Sequence, residues 1–282
     1  PMIIAIIGAV LNVVLDLVFV YGVEGFIPAM NIEGAAYASL IAQVTMALIA
    51  LILLLKKTSI SLKISLPFHE EIPNLLGMIG NLFIRTIALN IALYFATAYA
   101  TGYGNEYIAA YTIGLNLWLL GAFMIDGYSS AGNILSGKLL GSKDYETLVK
   151  LSIKLAKYGF FIGIIIAIFG FVFYDFIGQI FTKDPLVLEQ FYHVFWIVIL
   201  TQPISAITFI FDGMFKGMGE MKYLRNLLIL STGFVFIPTL LFFDWLDYKL
   251  VAIWIAFTLW ILARGIPLIF KFRSKFLPLV KS

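Results

Sequence analysis

The sequence predicts an all-α, polytopic membrane bundle of eight transmembrane helices. Of its 282 residues, 62% are hydrophobic and only 12% are charged, whereas about a quarter of a soluble protein is charged. The mean hydropathy is +1.01. The chain also contains several apolar runs of about 20 residues, which is the length that an α-helix needs to cross a bilayer. These runs lack the alternation of apolar and polar residues that is typical of a membrane β-barrel.

Eight hydrophobic spans follow one another along the chain, and glycine and proline residues fall in the connections between them. The spans lie at about 1–21, 33–55, 75–100, 106–137, 148–174, 187–212, 223–244 and 249–271. The first residue is a proline that already lies inside an apolar run. We therefore expect the sequence to be a fragment that lacks its natural N-terminus.

Basic residues are concentrated on one side of the predicted membrane. Fifteen Lys and Arg residues fall in or beside the connections after the second, fourth and sixth spans and in the C-terminal tail. The opposite side has only Lys183 and Lys249. The positive-inside rule places the first set of connections and the C-terminus in the cytoplasm. The expected location is a prokaryotic cell membrane.

The longest connection predicts a division into two lobes. Residues 57–74 are polar and partly basic, as expected of a cytoplasmic linker. Residues 1–56 would be the last two helices of an N-terminal lobe, residues 75–272 a complete six-helix C-terminal lobe, and residues 273–282 a cytoplasmic tail. The second and eighth spans begin similarly, which indicates repeated six-helix halves. The expected partners therefore include four missing N-terminal helices of the same polypeptide.

Five charged residues fall inside the spans, where a charge is costly and indicates a functional site. Arg85 and Asp126 lie at similar predicted depths, about 15–18 Å from the cytoplasmic ends of their spans. They can face each other because one short turn joins their helices. This is either a structural ion pair or a site linked to protons or substrate. Asp212 and Arg264 lie nearer the cytoplasmic face, as a second possible pair or as side chains that snorkel separately.

Uncharged polar residues add further candidates. Thr86, Asn90, Tyr94 and Thr97 form one stripe on the third span, which serves either interhelical hydrogen bonds or the lining of a cavity. Asp16 lies four residues after Asn12, and packing and a site role both remain open for this pair. The predicted substrate and ion pathway contains the following eight residues: Asn12, Asp16, Arg85, Asn90, Tyr94, Asn116, Asp126 and Asp212.

The sequence lacks the motifs of several classes of function. Cysteine is absent, which excludes disulfides and thiolate metal sites. No GxxxxGK[ST] motif is present, which disfavours an ATP-driven pump. His69 and His193 do not form a metal-binding pattern. We therefore expect no enzyme activity, no cofactor or metal, and no nucleic-acid partner.

Three stretches resemble a known transporter family. GAVLNVVLDLVFVYG (8–22) and IEGAAYASLIAQ (32–43) resemble the fifth and sixth helices of MATE multidrug efflux transporters. FIRTIALNIALYFATAYA (83–100) and IDGYSSAGNILSGKLLGSKD (125–144) resemble helices seven and eight of its DinF-like branch. QPISAITFIFDGMFKGMGEMKYLRN (202–226) resembles the tenth helix and the connection that follows. The chain would thus cover helices five to twelve of twelve.

The resemblance implies a monomeric antiporter with two six-helix lobes around a central cleft. Drug-like, often cationic compounds would leave while protons enter, and sodium is the less favoured coupling ion. The sodium-type branch carries an acidic residue in its seventh helix, where this sequence has Arg85. The main acidic residue of the proton-type branch is expected in a first helix outside this chain. The alternatives are a flippase of lipid-linked oligosaccharides from the same superfamily and a non-transporting structural half-protein.

Overall fold

The computed structural model describes residues 2–23, 26–57 and 71–281. These residues are helical apart from short turns. The chain forms two compact units, residues 1–69 and 70–282. Most of the predicted linker at 57–74 lies outside the described residues.

The first unit is an antiparallel helical hairpin of α1 (Met2–Val20) and α2 (Asn31–Lys57). Near the turn, Gly34 meets the backbone of Phe19, and at the far end Gly8 meets the side chain of Met46. Because a β-carbon at Gly34 would collide with backbone atoms, the two helices need glycine there to approach each other this closely, whereas the flexible Met46 side chain could move away from one at Gly8.

The second unit contains six membrane-length spans and one short helix. Its helices have the following bounds: α3 (Ile72–Tyr103), α4 (Asn105–Gly141), α5 (Tyr145–Val172), α6 (Tyr174–Phe181), α7 (Pro185–Gly217), α8 (Met221–Ser231), α9 (Ile237–Trp245) and α10 (Leu250–Lys281). The π-helical segment Thr232–Phe236 joins α8 to α9, so that Met221–Trp245 forms one continuous span.

Helix α7 is the centre of the second unit. It packs against α4, α5 and α10, and side chains along its whole length are buried. Pro203 lies inside this helix without ending it. The backbone of Pro203 faces Gly163 of α5, where a β-carbon would come within 2.5 Å of its Cα. Small residues on the neighbouring helices therefore let them approach α7 closely.

The basic connections of the second unit meet at one end, which we call the basic end. It comprises the start of α3, the α4–α5 and α7–α8 turns, and the last third of α10. Lys271 of α10 lies 3.3 Å from Glu220 in the α7–α8 turn, and the rings of Tyr145 and Phe276 lie 6.1 Å apart. At the opposite end, the Tyr103 hydroxyl donates to Asp244. The basic connections within the second unit, which the charge count placed on one side, thus lie together in space.

The predicted membrane fold is confirmed. Among the described residues, eight helical segments are long and apolar enough to span a membrane, and they coincide with the eight predicted spans. Two local predictions differ from the structure. The sequence did not predict α6, and α10 continues to Lys281 rather than giving way to a separate tail. Its last turns stay helical because Phe272 and Phe276 are buried against the core.

Candidate functional site

Four charged side chains from α3, α7 and α10 meet inside the second unit and form what we call the charge cluster: Arg85, Asp212, Lys216 and Arg264. Arg85 Nη2 lies 2.7 Å from Asp212 Oδ1 and 2.8 Å from Oδ2. Lys216 Nζ lies 2.8 Å from Oδ2, and Arg264 Nη2 lies 3.6 Å from Oδ1. A single carboxylate thus binds three cations.

Helix α3 positions Arg85 through a face of small residues. Arg85, Ala88, Ala92 and Ala96 recur at helical spacing and are all buried. Residues at this spacing share one side of a helix. The alanines let the helix pack closely within the bundle, and the long Arg85 side chain spans the remaining gap to α7.

Helices α4 and α7 cross closely beside Asp212. Ser129 Oγ donates to the Phe209 carbonyl at 2.9 Å, and Ser136 Oγ donates to the Met214 carbonyl at 2.9 Å. A β-carbon on Gly213 would collide with Ser129. These bonds on either side of Asp212 fix the segment of α7 that carries the carboxylate.

The charges of this cluster do not balance. Asp212 and Arg264 are buried, with side chains 8% and 5% exposed, and Lys216 is 32% exposed. Arg85 also has a buried Nε without a hydrogen-bond partner. A buried ion pair is strongly destabilised when one partner is removed. Neutralising Asp212 would leave three cations facing one another, so its charge holds α3, α7 and α10 together.

Arg85 and Asp126, whose pairing the sequence leaves open, do not form an ion pair among the described residues. Asp126 is exposed and forms no ion pair among the described residues, whereas Arg85 binds Asp212. The contact fails because Arg85 lies on the buried alanine face of α3 and Asp126 lies on an exposed face of α4. The alternative that Asp212 and Arg264 form a pair is confirmed.

Arg85 also lies nearer the basic end than the sequence predicts. Asn81, one turn earlier on α3, accepts a hydrogen bond of 2.6 Å from Arg225, which is in the second turn of α8. The first turns of α3 therefore project past the α7–α8 turn. Arg85 lies only about 6 Å further along the helix than Asn81. The sequence overestimates its depth because the end of a helix need not coincide with the edge of the membrane.

Asn90 and Tyr94 lie on the face of α3 opposite Arg85. Both are lining residues of a shallow hollow of about 420 Å³, and Tyr94 is 71% exposed. Asn90 Nδ2 donates to the Thr86 carbonyl of its own helix at 2.9 Å. On α4, Asn116 Nδ2 likewise donates to the Thr112 carbonyl at 2.9 Å. Both side-chain amides thus donate to carbonyls of their own helix. Neither residue supports the alternative that these polar side chains form interhelical hydrogen bonds.

In the first unit, the two remaining candidates have different surroundings. Asn12 Nδ2 donates to Ser39 Oγ of α2 at 3.3 Å, so Asn12 contributes to packing within the hairpin. Asp16 has a buried Oδ1 without a hydrogen-bond partner. An orphaned carboxylate oxygen is costly, and it leaves Asp16 as the stronger candidate of the two.

Lys216 and Trp260 were missed by the sequence reasoning. Lys216 had a usable signal, because it follows Asp212 by four residues and therefore lies on the same helix face. Trp260, whose ring contacts Arg264, had none. Within the described ranges, no group of three His, Asp or Glu side chains is arranged to hold a metal ion.

The fold and the charge cluster define a multi-pass integral membrane protein with a charged centre in its helical bundle. A family model described as MatE matches residues 81–241, which is more than half of the sequence. The chain belongs to the MatE family, and the resemblance seen in the sequence is confirmed.

Relatives and solved structures agree with this assignment. Protein DETOXIFICATION 43 of Arabidopsis thaliana is 28% identical over 268 residues, which are 94% of this chain and 49% of that protein. DNA damage-inducible protein F of Escherichia coli strain K12 is 27% identical over 279 residues, covering 95% of this chain and 58% of that protein. The chain thus spans about half the length of these relatives.

Among solved structures, an outward-facing multidrug resistance MATE family transporter of the MOP superfamily matches with a TM-score of 0.85. The match covers 100% of this chain and 63% of that one at 23% identity. At this identity, the match establishes a common fold.

Proposed function

We propose that the chain forms the last eight helices of a twelve-helix secondary transporter. The complete protein exports drug-like, often cationic compounds by antiport with protons and acts as a monomer in the bilayer. The C-terminus and the basic end face the cytoplasm. Membership of the MatE family and the eight membrane spans support this proposal.

The single observation that carries the proposal is the exposed polar face of α3. Thr86, Asn90 and Tyr94 line the 420 Å³ hollow on this face together with Phe83, Ile87, Ile91 and Phe95, in a helix that is long and apolar enough to cross a membrane. Polar side chains at membrane depth face protein or water rather than lipid. A water-filled substrate path along this face satisfies that requirement, and these residues then line it.

The preference for protons over sodium rests on the charges of α3 and α4. The sodium-type branch of the family uses an acid on the helix that corresponds to α3, whereas here the charged residue is Arg85, already bound to Asp212. Asp126 supplies a carboxylate on α4 that is not covered by the rest of the second unit. We propose Asp126 as a residue of the proton path and the charge cluster as the structural centre of the lobe.

One observation favours a second candidate, a flippase of lipid-linked oligosaccharides. The charge cluster contains three cations and one carboxylate, and this excess of positive charge suits an anionic substrate. Two of its cations, Arg85 and Arg264, are buried inside the bundle and lie beside Asp212. They do not line the exposed face of α3, and for this reason drug export ranks first.

The deciding experiment uses the complete polypeptide in proteoliposomes loaded with a fluorescent organic cation. An imposed pH gradient is expected to drive efflux, and a sodium gradient of equal size is expected to drive little. Residues 1–282 alone serve as the control and should not transport. Transport that ignores the pH gradient would refute proton coupling, and movement of a fluorescent lipid-linked sugar instead of the cation would favour the flippase.

A further inference from the structure

Trp260 of α10 contacts both the charge cluster and the π-helical segment. The Arg264 guanidinium carbon lies 4.7 Å from the centre of its indole ring. On its other side, Trp260 Nε1 donates to Thr232 Oγ1 at 3.0 Å. The exposed fractions of Trp260, Arg264 and Thr232 are 1%, 4% and 4%. A continuous path of buried contacts therefore runs from Asp212 through Arg264 and Trp260 to Thr232.

The hydrogen bond from Trp260 is not explained by burial alone, because a buried tryptophan in this core does not always have a hydrogen-bond partner. Trp254, six residues earlier on α10, is also 1% exposed, and its Nε1 has no hydrogen-bond partner. The core therefore tolerates a buried indole N–H without a partner at Trp254, whereas at Trp260 it supplies Thr232 as the acceptor. A cation over an indole face is attracted by the ring, and the attraction strengthens when both are desolvated. Trp260 thus fixes the plane of Arg264 while its own orientation is fixed by Thr232.

Thr232 lies at the point where the hydrogen-bond ladder of this span changes. Its carbonyl accepts from the backbone N–H of Ile237, five residues later, which is the π-helical pattern. Pro238 follows directly and has no N–H to donate. π-Helical turns and prolines are where helices bend, and π turns are frequent at functional sites. The hydroxyl that binds Trp260 therefore belongs to the residue at which this span is best able to change its direction.

We infer that Trp260 is a positioning residue that couples the charge cluster to the π-helical turn. When Asp212 loses its charge, Arg264 loses its partner and the indole loses its fixed cation. The Trp260–Thr232 hydrogen bond then weakens, and the π turn opens more often. The role of this coupling in transport rests on the proposed function, whereas the coupling itself is a property of the folded lobe.

The first test measures backbone amide exchange in the span that carries the π turn, using purified protein in detergent. Trp260→Phe removes the N–H donor, and Trp254→Phe removes the same atoms from the tryptophan that has no partner. We expect Trp260→Phe to speed exchange at residues 232–241 roughly two- to tenfold, as for the loss of one net hydrogen bond. Trp254→Phe should leave these residues unchanged. Equal effects of the two variants would overturn the inference.

A conservative rescue separates positioning from packing. Thr232→Val keeps the side-chain shape without the hydroxyl and should reproduce the fast exchange of Trp260→Phe. Thr232→Ser restores an acceptor and should return the exchange to its original rate. Fast exchange in both Thr232 variants would show that packing, rather than the hydrogen bond, controls the turn.

The coupling itself is tested by combining Asp212→Asn with Trp260→Phe. Asp212→Asn alone should speed exchange at residues 232–241, and adding it to Trp260→Phe should produce no further increase. Independent, additive effects would overturn the inference. If Asp212→Asn does not fold, Arg264→Lys takes its place, because it keeps the charge and loses the flat stacking surface. No step measures transport, so the outcome is independent of whether the proposed function holds.

Discussion

Arg85 on α3 and Asp212 on α7 form a buried ion pair across 127 residues of sequence, with Arg85 Nη2 at 2.7 Å and 2.8 Å from the two carboxylate oxygens. Lys216 and Arg264 approach the same carboxylate. Asp212 is therefore the shared partner of three cations. Substituting Asp212 should lower the free energy of unfolding more than substituting one of the cations.

Asp212→Asn is expected to lower the free energy of unfolding by about 3–5 kcal/mol, because it leaves buried cations without an anion. The measurement is unfolding in detergent, followed by the helical circular dichroism signal. Asp126→Asn is the matched control and should change stability by less than about 0.5 kcal/mol, since Asp126 has no ion pair among the described residues that the substitution would break. Similar losses for the two variants would contradict the assignment.

Arg85→Met is expected to cost less than Asp212→Asn. Asp212 keeps Lys216 and Arg264 after the change, and one excess positive charge is removed, so the expected loss is about 1–3 kcal/mol. The same unfolding measurement applies. A larger loss for Arg85→Met than for Asp212→Asn would show that Arg85, rather than the carboxylate, is the centre of the cluster.

Gly217→Ala is expected to disturb the crossing of α4 and α7. A β-carbon there would collide with the Asn133 carbonyl, whereas one at Gly127 on α4 would meet no atom within 4 Å. Gly127→Ala should therefore be neutral or stabilising by about 0.5–1 kcal/mol, while Gly217→Ala lowers the unfolding temperature. Both are measured by thermal unfolding, and a neutral Gly217→Ala would mean that the crossing is looser than described.

Glu220 gives the basic end a stability that depends on pH. The hydrogen bond from Lys275, with a further contribution from Lys271, lowers the pKa of this carboxyl below its ordinary value. Because the folded pKa is the lower one, the stabilisation is fully present above the ordinary pKa of glutamate. It is lost as the pH falls through the lowered value.

Glu220→Gln should therefore lower the unfolding temperature at neutral pH, and this effect should disappear once the pH falls below the lowered pKa of Glu220. Thermal unfolding at a series of pH values measures the difference in unfolding temperature between the variant and the unsubstituted protein. Glu189→Gln, at an exposed glutamate with no ion pair among the described residues, is the control and should show no such pH dependence. A constant difference between Glu220→Gln and the unsubstituted protein at all pH values would contradict the assignment.

Asp126→Asn should reduce transport driven by a pH gradient in the complete polypeptide while leaving stability unchanged. The expected loss is about tenfold, equivalent to about 1.4 kcal/mol of barrier height. Initial rates of efflux from proteoliposomes measure it, with Asp175→Asn on α6 as a control for an exposed carboxylate. Unchanged transport in Asp126→Asn would remove Asp126 from the proton path.

Part of the charge cluster was accessible from the sequence. Asp212 and Arg264 were a possible pair because both lie close to the cytoplasmic face in the sixth and eighth spans. The run of Ala88, Ala92 and Ala96 was a further signal that went unused, because it puts Arg85 on a face of small residues, which is the face expected to pack against other helices. The sequence left open whether Arg85 pairs with Asp126, because closeness in sequence says which helices are joined and does not say which of their faces meet.

The sequence by itself determined the all-α membrane fold, its eight spans and the grouping of the basic connections within the second unit. These properties follow from the length and apolarity of each segment and from charge placement, which act locally along the chain. Only the tertiary structure decided that Asp212 is the partner of Arg85, Lys216 and Arg264, and that Trp260 joins this cluster to Thr232. These contacts depend on the rotation of each helix about its axis, and that rotation is set by the packing of all neighbouring helices against α7.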